Sequence, residues 1–203
     1  DTADWDPSVT TALEDLGIGA DVILKLGEQF ESMKEVLELL NSILESPGIT
    51  DFLKILGTVL DIAEVLKDFL TDLAQHKDLP FDEALLHAIV EAALKFAASQ
   101  GVDKAIELLA QAILNSVFPI AGGVAAWLIT KGIGMLMAPI KKAIMKSAEG
   151  IFSGVADEVV DAYRFVKKTA ETVGNIAEKV GDVAENIGNG ARNLWNGTKR
   201  IFS

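Results

Sequence analysis

Imidazole, phenol and thiol side chains are scarce in this chain: two histidines, one tyrosine and no cysteine in 203 residues. Without cysteine there is no thiolate nucleophile or ligand and no disulfide, and nothing marks a redox compartment. His76 and His87 stand eleven residues apart on either side of Pro80, so they are not an i, i+4 ligand pair on one helix. Glu83 and His87 do have that spacing and read as a surface ion pair, because two ligands do not make a zinc site. No Glu-x-x-His pair is present to build a carboxylate di-iron centre. Phosphate loop, nucleophile elbow and dinucleotide fingerprint are also missing, and Gly17-Ile18-Gly19-Ala20 reads as a loop. The acid pairs Glu14-Asp15 and Asp82-Glu83 read as helix ends and caps. The expectation is a protein that is not an enzyme, with no metal and no cofactor.

The elements that carry these residues are helical. Alternating Val/Thr/Tyr runs are absent, whereas apolar residues recur at helical spacing along most of the chain. Asp6-Pro7 opens a short helix that ends near Gly17. From Asp21 the series Ile23, Leu26, Phe30, Met33, Leu37, Leu40 and Leu44 forms one helix face, stopped by Ser46-Pro47-Gly48. Thr50 or Asp51 caps a second such helix, with Phe52, Ile55, Leu56, Val59, Ile62, Leu66, Phe69 and Leu73 inward, ending near His76. A third starts at Asp82 and closes at Gly101; a fourth runs from about Val102 to Phe118, before Pro119 and Gly122-Gly123. The spacing predicts an all-α fold, a helical bundle of about five to seven helices. Residues 1–150 form an acidic bundle around a central hydrophobic hairpin (about 105–140), and 151–203 form a heptad-patterned tail that packs on the bundle or on a partner.

Half the residues are apolar, yet the net charge is −12, with a mean hydropathy of +0.32 and pI ≈ 4.6. So apolar a chain is not disordered, and 17 Gly with 5 Pro exclude collagen-like and low-complexity sequence. Such a negative surface repels phosphate, so no nucleic-acid partner is expected. The charge is unevenly spread. Residues 1–105 hold 21 acids against 7 bases, and 106–203 hold 9 against 11. No acid lies between Glu107 and Glu149, whereas Lys131, Lys141, Lys142 and Lys146 do.

Residues 108–148 are therefore an apolar, cationic segment inside an acidic protein. Phe118, Val124, Trp127, Leu128, Ile129, Ile133, Leu136 and Met137 are its candidate membrane-insertion residues. The four lysines are candidate contacts to anionic headgroups, each worth about 1 kcal/mol near such a surface. As a buried hairpin the same segment would simply be core; each arm of 15 residues reaches about 22 Å, short of a hydrocarbon layer of roughly 30 Å. Gly132 to Lys146 is similar in composition to short cationic membrane-active peptides. In architecture, though in no shared motif, the arrangement resembles helix-bundle toxins of the colicin pore-forming type. That resemblance implies a protein made in soluble form whose apolar hairpin stays hidden until it meets a membrane. The polar opening Asp1-Thr2-Ala3-Asp4-Trp5-Asp6 suits a mature terminus after signal cleavage and points to a secreted or membrane-associated protein.

The last third repeats every seven residues: Val159, Val166, Val173, Val180, Ile187, Leu194 and Ile201. A second seam, Ala162, Thr169, Ile176 and Val183, decays into Gly190 and Gly197, and small residues (Gly174, Ala177, Gly181, Ala184, Gly188, Ala191) run beside it. A strict period of seven is the coiled-coil period, so Val159 to Leu194 are candidate helix-pairing residues. Trp195, Lys199, Arg200 and Phe202 would anchor the same helix on lipid. The leading expectation is a membrane-active, pore-forming protein acting on an anionic lipid membrane. The alternatives are a helical carrier of a lipid or other apolar ligand, and an assembly protein that forms a homo-oligomer through the heptad helix.

Overall fold

The computed structural model describes residues 7–28, 33–46, 48–124, 127, 131–150 and 154–201. Among these the chain is all-α and has no strand. Among the described residues there are nine α-helices, where about five to seven were expected: α1 (Pro7–Asp15), α2 (Ala20–Gly27), α3 (Met33–Glu45), α4 (Ile49–Gly57), α5 (Ile62–Gln75), α6 (Phe81–Gln100), α7 (Val102–Ala112), α8 (Ile133–Ala148) and α9 (Val155–Ile201). A π-helical turn (Ile113–Val117) and a 3-10 segment (Phe118–Val124) follow α7.

The higher count arises because two long periodic runs each divide. The run from Asp21 becomes α2 and α3. The run from Thr50 becomes α4 and α5, and the divider is Asp61. Its carboxylate accepts from the backbone N–H of Ala63 at 2.9 Å and of Glu64 at 3.2 Å, an N-cap that starts a new helix where the apolar pattern alone continues. The break turns the expected inward face. Ile55 and Val59 are exposed, while Leu53, Val65 and Leu70 are buried instead. Gly48 enters α4 at φ 75°, and a Cβ there would lie 2.7 Å from the Asn115 Cβ. Only glycine lets the start of α4 come so close to the π turn.

Helix α6 is the centre of the molecule, packing against α5, α7, α8, α9 and the π turn. Leu85, Leu86, Ala88, Ile89, Val90 and Ala93 are all buried, so it is covered on most sides. A helix surrounded in this way needs apolar residues all round rather than one stripe. Helix α7 does not continue to Phe118. Pro119 lacks an N–H and its ring would strike the carbonyl four residues back, so the preceding turn widens and the following one tightens. Helices α8 and α9 close the core, with Leu136, Ile140, Ala143 and Ile144 meeting a layer that includes Val155, Val159, Val160 and Tyr163.

Helix α9 has 47 residues, about 70 Å at 1.5 Å per residue. One face of its first 16 residues belongs to the core, through Val155, Ala156, Val159, Val160, Tyr163, Val166 and Ala170. From Glu171 to Ile187 every residue is exposed.

Candidate functional site

The expected insertion residues divide between core and half-buried positions. Phe118 and Leu136 are fully buried, Trp127 and Ile133 are half-buried against the core, and Met137 is half-buried. The Val124 side chain, Leu128 and Ile129 lie outside the described residues. Val102–Ala121 is a 20-residue helical run long and apolar enough to cross a membrane. Much of it is interior, and Phe118 faces Tyr163 with ring centroids 6.3 Å apart. Lys131, Lys141 and Lys142 are exposed on α8 and the turn before it, beside exposed Met135 and Met145. Lys146 is engaged with Glu158 of α9, whose carboxyl that bond holds below its ordinary range. Three lysines and two methionines of the segment are therefore exposed, while Phe118, Leu136, Ile140 and Ile144 face the core.

The heptad seam changes role along its length. Val159 and Val166 are 0% and 2% exposed, whereas Val173, Val180 and Ile187 are 39%, 62% and 67% exposed. Ile176 and Val183 of the second seam are exposed as well. The Leu194 side chain, with those of Trp195, Lys199 and Arg200, lies outside the described residues, although the helical backbone continues to Ile201. The stripe that holds α9 on the body thus continues beyond it and is exposed as far as Ile187.

What fixes the root of this arm is a polar latch that the helix-cap reading of Asp82-Glu83 missed. Asp82 is 6% exposed and accepts from the Tyr163 hydroxyl and the Lys167 ammonium, both at 2.7 Å. Glu83 accepts from Arg164 Nε at 2.7 Å, and Arg164 also reaches Asp161 at 2.9 Å. Glu83 therefore pairs with Arg164, not with His87 as its spacing suggested. Burial first, then the Asp82 hydrogen bond, pushes the Tyr163 hydroxyl well above its ordinary value, so it stays protonated and donates. The signal was present as Tyr163-Arg164-x-x-Lys167 on one helix face, but its partners lie some eighty residues away.

His87 faces elsewhere. Its Nδ1 lies 2.8 Å from Asp72 Oδ2, and its Nε2 lies 3.6 Å from Asp157 Oδ1 of α9. His76 joins it from the end of α5, its ring centroid 4.0 Å from that of His87 and tilted by 34°. His76 Nδ1 donates to the Asp72 carbonyl at 2.8 Å. Donor atoms of Asp72, His76 and His87 all lie within 4.8 Å of one another, a spacing at which one metal ion could be held. Burial opposes the His87 imidazolium, but the hydrogen bond and charge of Asp72, with Asp157 and Glu91, more than offset it, and its pKa is raised. Next to Asp72 is a cavity of about 180 Å³ between α5 and α6, whose lining includes Phe69, Gln75, Glu91 and Lys95. Compared with known proteins, the chain matches no protein-family model, no curated protein and no solved structure.

Proposed function

We propose that this protein is an association module: a helical body that projects an arm, residues 171–201, for lengthwise pairing with the arm of a second copy. The observation that carries the reading is the exposure of Val173, Ile176, Val180, Val183 and Ile187 on one heptad-spaced face. The exact repeat matters for the choice of partner. On a straight α-helix a seven-residue stripe drifts by about 20° per heptad, so the six steps from Val159 to Ile201 turn it by about 120°. A flat lipid surface meets only part of such a stripe, whereas a second helix follows it by supercoiling. Small residues at 174, 177, 181 and 184 allow close approach, and a Cβ on Gly174 or Gly181 would touch nothing within 4 Å.

Charge supports a second copy in antiparallel orientation. Residues 171–185 carry Glu171, Glu178, Asp182 and Glu185 against Lys179, while 186–201 carry Arg192, Lys199 and Arg200 and no acid. Antiparallel arms lay the acidic half of each along the basic half of the other. The test is mass by sedimentation equilibrium across a concentration series. A dimer is expected, and Val173→Asp with Val180→Asp should give a monomer whose helical circular dichroism is unchanged. With no native cysteine, Val180→Cys alone should fail to form a disulfide-linked dimer, because antiparallel seams separate the two copies of position 180. A wild-type chain that stays monomeric at high micromolar concentration overturns the reading.

A second reading, peripheral binding to anionic lipid by a secreted or membrane-associated protein, is favoured by Lys131, Lys141 and Lys142 lying exposed beside Met135 and Met145. Co-flotation with anionic but not neutral vesicles, lost on changing the three lysines to Gln, would support it. Pore formation requires more, since Phe118 and Leu136 must leave the core, and dye release at pH 5 and pH 7 reads that step. The carrier reading has less behind it. The cavity of about 180 Å³ is smaller than the roughly 300–1,000 Å³ of small-molecule sites, and several of its lining residues are charged.

A further inference from the structure

From the convergence of Asp72 of α5 and His76, the residue that caps its end, with His87 of α6, we infer a binding site for one zinc-class divalent transition metal ion. Two imidazoles and a carboxylate are the donors such ions prefer, whereas calcium and magnesium favour all-oxygen shells. In a tetrahedral shell with bonds of about 2.0–2.1 Å, neighbouring donors sit roughly 3.3 Å apart. Here one donor atom from each of the three side chains lies within 4.8 Å of the others, so a drawing-in of about 1.5 Å brings three donors to tetrahedral spacing and leaves the fourth position to water.

Two further features support a cation here. The first is the set of groups behind the ligands. His76 Nδ1–H is held by the Asp72 carbonyl at 2.8 Å, which leaves Nε2 as the nitrogen with a free lone pair. When His87 binds through Nδ1, its Nε2–H is left facing Asp157 Oδ1, 3.6 Å away. A carbonyl or carboxylate on the remote nitrogen is the usual way a ligating histidine is oriented. The second is charge. Asp72 and Asp157 both face His87, and the Glu91 carboxyl one turn along α6 is pushed up by burial and by those two acids. Lys95 is already engaged with Asp68. A divalent ion adds positive charge among acids whose cationic neighbours are His76, His87 and Lys95.

The ion would tie the end of α5 to α6 across the turn that contains Pro80, with Asp157 joining α9 through its contact to His87. The test is calorimetric titration of zinc chloride into chelator-stripped protein, together with the visible spectrum of the cobalt(II) form. One ion per chain is expected, with tetrahedral cobalt bands and a Tm raised by roughly 5–10 °C at a hundredfold excess over Kd. His76→Gln and His87→Gln should each weaken binding at least a hundredfold, and Asp157→Asn about ten- to a hundredfold with unchanged stoichiometry. His87 is buried and its variant can fail to fold; His76 is half-buried, so His76→Gln keeps the test decisive. Absence of saturable zinc binding, zinc binding that His76→Gln leaves intact, or equal binding of magnesium would each overturn the inference.

Discussion

Asp82 and His87 are both buried, ionisable and one and a half turns apart on α6, yet their surroundings give them different roles. Asp82 is fully partnered by Tyr163 and Lys167. Asp82→Ala leaves both donors facing a gap and should cost about 3 kcal/mol in urea unfolding. Tyr163→Phe removes one bond while Lys167 still pairs the carboxylate, and should cost about 1 kcal/mol. For His87 the consequence is a pH dependence. Its folded pKa lies above the ordinary 6.5 because the carboxylates of Asp72 and Asp157, with Glu91, outweigh burial. The folded state therefore holds this proton more tightly than the unfolded chain. The resulting stability is fully present below pH 6.5 and fades as pH rises through the raised value. Glu91, raised above 4.5 mainly by burial, acts in the same direction at lower pH. Chelator-treated protein should be less stable to urea at about pH 8.5 than at about pH 6, and His87→Gln should remove most of that difference.

Among the elements, α9 combines two regimes in one helix. Through Ala170 it is held by packing and by the latch of Tyr163, Arg164 and Lys167. From Glu171 to Ile187, where every residue is exposed, local backbone bonds and side-chain pairs hold it, and Gly174 and Gly181 weaken it. Packing, not propensity, supplies most helix stability in proteins, so a partner on the seam would firm the arm. Since a Cβ at either glycine meets nothing within 4 Å, Gly174→Ala and Gly181→Ala should each stabilise the arm by about 1 kcal/mol. Helicity at 222 nm and slower amide exchange over 171–187 would register the gain. The opposite case is the stretch from Ile113 to Val124, where Pro119 forces π and 3-10 turns into an apolar run. Within that stretch Ile113, Ser116, Val117 and Phe118 are buried, so packing of these side chains holds the irregular turns in place.

At the scale of the whole molecule, the apolar, acid-free segment and the strongly acidic first half share one core. The core runs from Leu13 of α1 to Ala170 of α9, and among the described residues none beyond Ala170 belongs to it. A chain ended after Ala170 should therefore keep its Tm within about 2 °C, since no residue from Glu171 to Ile187 is buried. The same truncation should abolish concentration-dependent mass. Scanning calorimetry and light scattering on one preparation read both outcomes. If the Tm instead falls by several degrees, the arm contributes to the body through groups beyond Ile187.

Helical class, the approximate starts of α1 and α6, and the seven-residue seam were legible because each rests on residues three, four or seven apart in the chain. Such spacing sets which side chains share a face, whatever lies opposite. It cannot say what lies opposite. Val159 and Val173 occupy equivalent positions of one repeat, and only the end of the body decides that the first is core and the second exposed. The apolar run through Ile55 and Val59 looked continuous because the Asp61 cap is a matter of backbone geometry that hydropathy does not record. The latch joins residues 81 and 85 positions apart, and His76 meets His87 only because the chain turns at Pro80 and brings α6 back beside α5. Periodicity is local and survives in the sequence. Proximity between distant residues follows from how the helices pack, and that was decided by the tertiary structure alone.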